Sequence, residues 1–121
     1  MLKVGTDIVS VTRIEQAYRR FGRRFPDRYL TPSEYTSTSS VSSLAGYWAA
    51  KEAVAKALGC GIGGELGFRD IRLHKDASGA PSFTLSEKAR QRFRIAESSL
   101  SISHDGGFAI AVVVIVLSTE R

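Results

Sequence analysis

Three charged residues stand where charge is costly. Between Leu44 and Leu58 the chain is almost entirely Ala, Gly, Leu, Val, Tyr and Trp, interrupted by Lys51, Glu52 and Lys56. At about 100° per residue, Glu52 and Lys56 share a helix face with Ala45, Trp48, Ala49 and Ala55. On a solvated helix such a pair is an ordinary i,i+4 contact worth about 0.2–0.5 kcal/mol. Among small apolar neighbours it is desolvated and needs further partners to be tolerated. Asp7 is the second anomaly, because aspartate is disfavoured inside strands yet lies between Val4 and Ile8-Val9. It either closes a strand end or is a carboxylate held on a rigid element, and alone the strand-end reading prevails. Two carboxylates on different rigid elements plus a lysine suit Mg²⁺ and a pyrophosphate. Mg²⁺ takes one or two carboxylates, several waters and phosphate oxygens, and an ammonium offsets charge on the phosphate being cleaved.

Two other segments are weaker. The loop Gly59-Cys60-Gly61-Ile62-Gly63-Gly64 could bring backbone N–H groups to a phosphate. It follows a helix, however, and so lies at the negative end of the dipole; a helix stop explains Gly59. Ser101-Ile102-Ser103-His104-Asp105 is no catalytic triad, whose members meet in space and not in sequence. Strand alternation puts His104 on the face of Leu100 and Ile102, with Ser103 opposite.

The elements that must position these groups follow from pattern. Leu2 to Val9 reads as a strand with Leu2, Val4 and Ile8 on one face. Thr12 and Glu15 match a capping box opening a helix striped by Ile14, Ala17, Tyr18 and Phe21, with Gly22 at its end. Thr31-Pro32-Ser33-Glu34 opens a second helix. The Ser/Thr-rich stretch 36–43 is expected to be mobile, and the longest helix to run from Leu44 to Leu58. Phe68–His74 and Ser82–Leu85 read as paired strands, Ser86 as the cap of a short helix through Phe93. Leu100–His104 and Phe108–Leu117 form a hairpin about Asp105-Gly106-Gly107. This order predicts one α+β domain over residues 1–121, a mainly antiparallel sheet packed with a long central helix.

With 121 residues, the chain has a modest core that an oligomer would extend. One cysteine, Cys60, forms no internal disulfide, so a reducing cytoplasm is the simplest compartment. No targeting or membrane segment is expected. A net charge of +5 favours an anionic partner: a phosphorylated cofactor, an acidic protein, a membrane surface or a nucleic acid. The rival reading, a small basic nucleic-acid-binding module, lacks an aromatic platform or groove-reading motif and leaves Asp7, Glu52 and Lys56 unexplained.

Taken together, Val4-Gly5-Thr6-Asp7-Ile8-Val9, Trp48-Ala49-Ala50-Lys51-Glu52-Ala53-Val54-Ala55-Lys56-Ala57, Gly61-Ile62-Gly63 and Ser101-Ile102-Ser103-His104 resemble the holo-(acyl-carrier-protein) synthase family of phosphopantetheinyl transferases. The resemblance spans nearly the whole chain, and the block around Lys51-Glu52 is its most specific part. It implies transfer of 4′-phosphopantetheine from coenzyme A to a serine of an acyl carrier protein. Asp7 and Glu52 would bind Mg²⁺, Lys56 would contact the phosphate, and the serine proton would go to Glu52 or to a water. Lys51, Gly61, Gly63, Ser103 and His104 match positions around the coenzyme's nucleotide. Arg13, with Arg20, Arg23 and Arg24, would dock the acidic carrier, and small members are usually trimers with sites between subunits. Tyr47 stands where relatives often carry a basic residue, which removes one expected contact to coenzyme phosphate.

Overall fold

The computed structural model describes residues 1–119. In chain order the elements are β1 (Leu2–Ser10), α1 (Val11–Phe21), α2 (Arg24–Asp27), α3 (Pro32–Ser37), α4 (Val41–Ala57), β2 (Ile71–Lys75), β3 (Pro81–Leu85), α5 (Glu87–Arg92), β4 (Ile95–Asp105) and β5 (Phe108–Leu117). A 3₁₀ turn over Phe68–Asp70 leads into β2. The strands form two antiparallel sheets, one ordered β1-β5-β4 and one made of β2 and β3. The α+β architecture expected from the element order is the one observed. α4 lies across the three-stranded sheet, and its long buried run forms the centre of the core.

The strand-to-helix junction starts earlier than the sequence pattern suggests. Ser10, not Thr12, caps α1 by accepting from the Arg13 amide at 3.4 Å, and the Val11 amide donates to Gly107 O at 2.9 Å. The chain thus passes from strand to helix without a break. Most of the Ser/Thr stretch expected to be mobile is helical, at the end of α3 and the start of α4: Ser40 Oγ accepts from the Ser43 amide at 3.1 Å and caps α4. The serines supply caps and not mobility. Phe68 sits in the 3₁₀ turn and not in a strand. β4 begins at Ile95, well before Leu100, because it pairs along most of β5. Gly106 and Gly107 make the two-residue turn between β4 and β5, both with positive φ, as such tight hairpins require.

Leu2, Val4 and Ile8 do share a face, but it is the outer one, and they are 64%, 58% and 61% exposed. The inner face of β1 carries Gly5, Asp7 and Val9. The reason is distance. A Cβ built on Gly5 would stand 2.0 Å from the Ala53 carbonyl oxygen and 2.9 Å from the Ala57 side chain, so only glycine lets β1 lie directly against α4. Gly5→Ala is therefore expected to destabilise the protein by about 1–3 kcal/mol, at the upper end because the obstruction is backbone. Chemical denaturation with an unchanged m-value would measure it.

Candidate active site

The close approach of β1 to α4 has a chemical consequence. Asp7, two residues beyond Gly5 on the same face, is carried toward the same side of α4 as Lys56. The Lys56 ammonium donates to Asp7 Oδ1 at 2.8 Å across 49 residues of sequence. The Asp7 side chain is 13% exposed while that of Lys56 is 54% exposed. Lys56 is held above its ordinary pKa chiefly by this hydrogen bond. Glu52, half-buried one turn earlier, has its carboxyl raised first by burial and then by the charge of Asp7, with Lys56 opposing. The Asp7 carboxylate thus disfavours the charged form of Glu52.

Two carboxylates with one ammonium leave the cluster one negative charge in excess. No group of three or more His, Cys, Asp or Glu side chains that could hold a metal occurs among the described residues. Asp7 and Glu52 offer hard carboxylate oxygens on two rigid elements, a set whose chemistry would fit Mg²⁺ completed by water and phosphate and would not fit a zinc cage.

His104 lies elsewhere. It lines a groove of about 180 Å³ with Gly46 and Tyr47 of α4, Ile102 of β4, and Lys75 and Pro81 of the β2–β3 hairpin. Tyr47, Gly46 and Ser43 stand roughly 120–180° around α4 from Glu52 at 100° per residue. Asp7 is on one outer strand of the sheet and His104 on the other, with β5 between them. The groove and the carboxylate cluster therefore occupy opposite flanks of one chain.

Lys51 is not available to a nucleotide. It is fully buried, and its ammonium donates to Tyr29 O at 2.7 Å, Glu34 Oε1 at 3.0 Å and Phe68 O at 3.1 Å. All three N–H groups are spent inside the fold, so the expected contact to the nucleotide is replaced by a structural one. The glycine loop does not aim free amides outward at Gly61 and Gly63. Gly61 N donates to Ala55 O at 3.2 Å and Gly63 N to Leu66 O at 2.9 Å. Positive φ at Gly59 and Gly61 explains both glycines as turn residues. Ser103 lies on the outer sheet face opposite Ile110, away from the groove that receives His104.

Arg13, Arg20, Arg23 and Arg24 are all exposed along α1 and α2. Arg13 borders a small pocket of about 100 Å³ lined by Val9, Ile14, Ala17, Phe25 and Trp48. Arg23 bonds Asp27 at 2.9 Å and lies 3.7 Å above the Tyr35 ring, which holds it in place.

A family model described as the 4′-phosphopantetheinyl transferase superfamily matches residues 3–113. The chain belongs to this superfamily. It is 56% identical over 114 residues to the holo-[acyl-carrier-protein] synthase of Sulfurovum sp., covering 94% of this chain and 96% of that one. It is 48% identical to the corresponding synthase of Aliarcobacter butzleri, covering 97% and 99%. Among solved structures it superposes on the Helicobacter pylori holo-[acyl-carrier-protein] synthase in complex with coenzyme A, with a TM-score of 0.90 and 50% identity over 93% of this chain and 99% of that one.

For a superfamily member, two residues here went unread in the sequence. Glu34 looked like a helix cap only. It accepts the Thr31 amide as expected, but it also receives Lys51 and the Leu73 amide, and is 4% exposed. Lys75 lies one residue beyond the strand expected to end at His74 and ends β2. Its alternation with Ile71 and Leu73, both buried, was the signal that it faces α4.

Proposed function

We infer that the chain transfers the 4′-phosphopantetheine arm of coenzyme A to a serine hydroxyl of an apo-acyl carrier protein, releasing adenosine 3′,5′-bisphosphate. Superfamily membership along nearly the whole chain supports the reaction type. The observation that carries the assignment to this site is the Lys56–Asp7 contact, with Glu52 one helical turn before Lys56 on α4. A new bond forms between the serine oxygen and the pantetheine-bearing phosphorus. The bond from that phosphorus to the bridging oxygen of the pyrophosphate breaks, and the charge leaves on the nucleotide phosphate. Asp7 and Glu52 are the residues that would hold Mg²⁺, which when bound supplies charge neutralisation for the pyrophosphate. Lys56, the more exposed member, can release Asp7 and donate to the departing phosphate oxygen. The serine proton passes to Glu52 or to water beside it.

The acceptor side rests on Arg13, Arg20, Arg23 and Arg24, whose exposed positive charge steers an acidic carrier, and on the apolar pocket beside Arg13. No helix among the described residues is long and apolar enough to cross a membrane. A single cysteine suits the cytoplasm.

The enzyme is a homotrimer with sites between subunits. Two observations support this. The outer sheet face exposes Leu2, Val4, Ile8, Phe108, Ile110 and Val112 together, an apolar patch of the kind that marks an interface. The carboxylate cluster and the His104 groove sit on opposite flanks, so a closed ring would set one chain's cluster against its neighbour's groove.

Incubating the protein with Mg²⁺, coenzyme A and a panel of apo-carriers tests the reaction. Intact mass should show phosphopantetheine added to at least one carrier, and no gain across the panel would sink the assignment. The shared site has its own test. Glu52→Gln and His104→Ala chains are each expected to be inactive, yet co-assembled one to one they should regain about a quarter of wild-type activity. That fraction is the share of interfaces with both contributors intact. A mixture no more active than its parents would place each site within one chain.

A further inference from the structure

One arginine of the α1–α2 face is fixed before any partner arrives. Arg23 stands just before α2, and its Nε donates to Asp27 Oδ1 at 2.9 Å. Its guanidinium carbon lies 3.7 Å from the centre of the Tyr35 ring on α3, a close cation–π stack. Two separate elements thus hold one side chain. Arg20, by contrast, lies over the ring of the adjacent Phe21. Arg13, Arg20 and Arg24 make no salt bridge among the described residues.

Tyr35 is itself held. Its hydroxyl shares a hydrogen bond with the Tyr18 hydroxyl of α1, and both rings pack against the core. The preceding residue, Glu34, anchors α3 through the Lys51 ammonium and the Leu73 amide. The ring is therefore a fixed surface, although Tyr35 is half-buried and reachable from outside. The Asp27 bond uses Nε and leaves the two terminal nitrogens of Arg23, which can fork a single carboxylate. Asp27 also offsets the charge of Arg23, so this residue offers geometry more than long-range attraction.

We propose that Tyr35 is a positioning residue for the acyl carrier: held by Tyr18, it fixes the Arg23 guanidinium so that both terminal nitrogens meet one carboxylate of the carrier. The proposal rests on the transferase reading above, in which an acidic carrier docks on α1 and α2. An arginine free to rotate loses rotamer freedom when a partner immobilises it, which weakens binding about 2-fold to 10-fold per side chain. In Arg23 that freedom is gone before the carrier arrives. Arg13, Arg20 and Arg24 then supply attraction, and Arg23 supplies orientation.

Steady-state kinetics of the assembled enzyme, with apo-carrier varied at saturating coenzyme A, test this. Tyr35→Leu should raise the KM for the carrier about 2-fold to 10-fold. It should leave kcat within about twofold and the KM for coenzyme A unchanged, because only carrier binding is weakened. Tyr35→Phe keeps the ring but not its bond to Tyr18, and should fall between wild type and Tyr35→Leu. In an Arg23→Ala chain, Tyr35→Leu should add nothing, since it acts through the arginine. Arg23→Lys keeps the charge but loses the planar fork, and should raise the carrier KM nearly as far as Arg23→Ala. Arg23 is exposed, so this variant decides the question even if Tyr35→Leu does not fold. An unchanged carrier KM in Tyr35→Leu, a full effect without Arg23, a parallel rise in the KM for coenzyme A, or an Arg23→Lys chain matching wild type would overturn the proposal. Each would leave the transferase reading standing. A wild-type enzyme that modifies no carrier would overturn both.

Discussion

Glu52→Gln should lower turnover by about 10²–10³-fold or more while the protein remains folded. Losing one preorganised electrostatic group at a reacting phosphate costs about that much. The side chain is isosteric and only half-buried, so packing along α4 is preserved. The change also removes the charge that repels Asp7, which favours the uncomplexed fold. A melting temperature equal to or above wild type, together with loss of carrier-protein mass gain, is the expected pair of results. Raising Mg²⁺ should not restore the rate, because an amide offers a weaker oxygen ligand than a carboxylate. Near-normal turnover in this variant would remove Glu52 from the site and leave Asp7 and Lys56 as an ordinary ion pair.

Lys51→Met should act in the opposite manner, on stability first. The Lys51–Glu34 bridge measures 3.0 Å, and its side chains are 0% and 3% exposed. Burial pulls the Lys51 pKa below its ordinary value, and Glu34 opposes that shift. Removing one partner strands a buried carboxylate, which costs about 3–5 kcal/mol. In a domain of this size that corresponds to roughly 10 °C or more in melting temperature. Glu34→Gln in the same chain should recover part of the loss, since the amide oxygen can still accept the Thr31 or Leu73 amide without a stranded charge. A double-mutant cycle reads this coupling directly. If Lys51→Met instead left stability intact and raised the KM for coenzyme A, the lysine would be a nucleotide ligand after all.

Lys51 and Lys56 show how differently one helix can use two lysines. Both stand in the same apolar run, and the motif around them was legible because helical spacing is local. Their fates were not local. Lys51 is buried because α3, the end of α2 and the turn before β2 converge on it. Lys56 stays half-exposed because β1 covers that flank with only a short carboxylate. The strand alternation of Leu2, Val4 and Ile8 was equally legible, but alternation does not say which face is inside. Gly5 decided that by admitting α4 to within touching distance.

The sequence alone determined the α+β order, the Glu52–Lys56 spacing, Asp7 as a misplaced strand carboxylate and the run of family motifs. All are read over a few residues or from their order along the chain. Tertiary structure alone decided the Lys56–Asp7 contact, the burial of Lys51 by Glu34, the internal use of the Gly61 and Gly63 amides, and Lys75 over Tyr47. Each depends on segments far apart in the chain, where steric contact and desolvation are set by packing that no local pattern encodes.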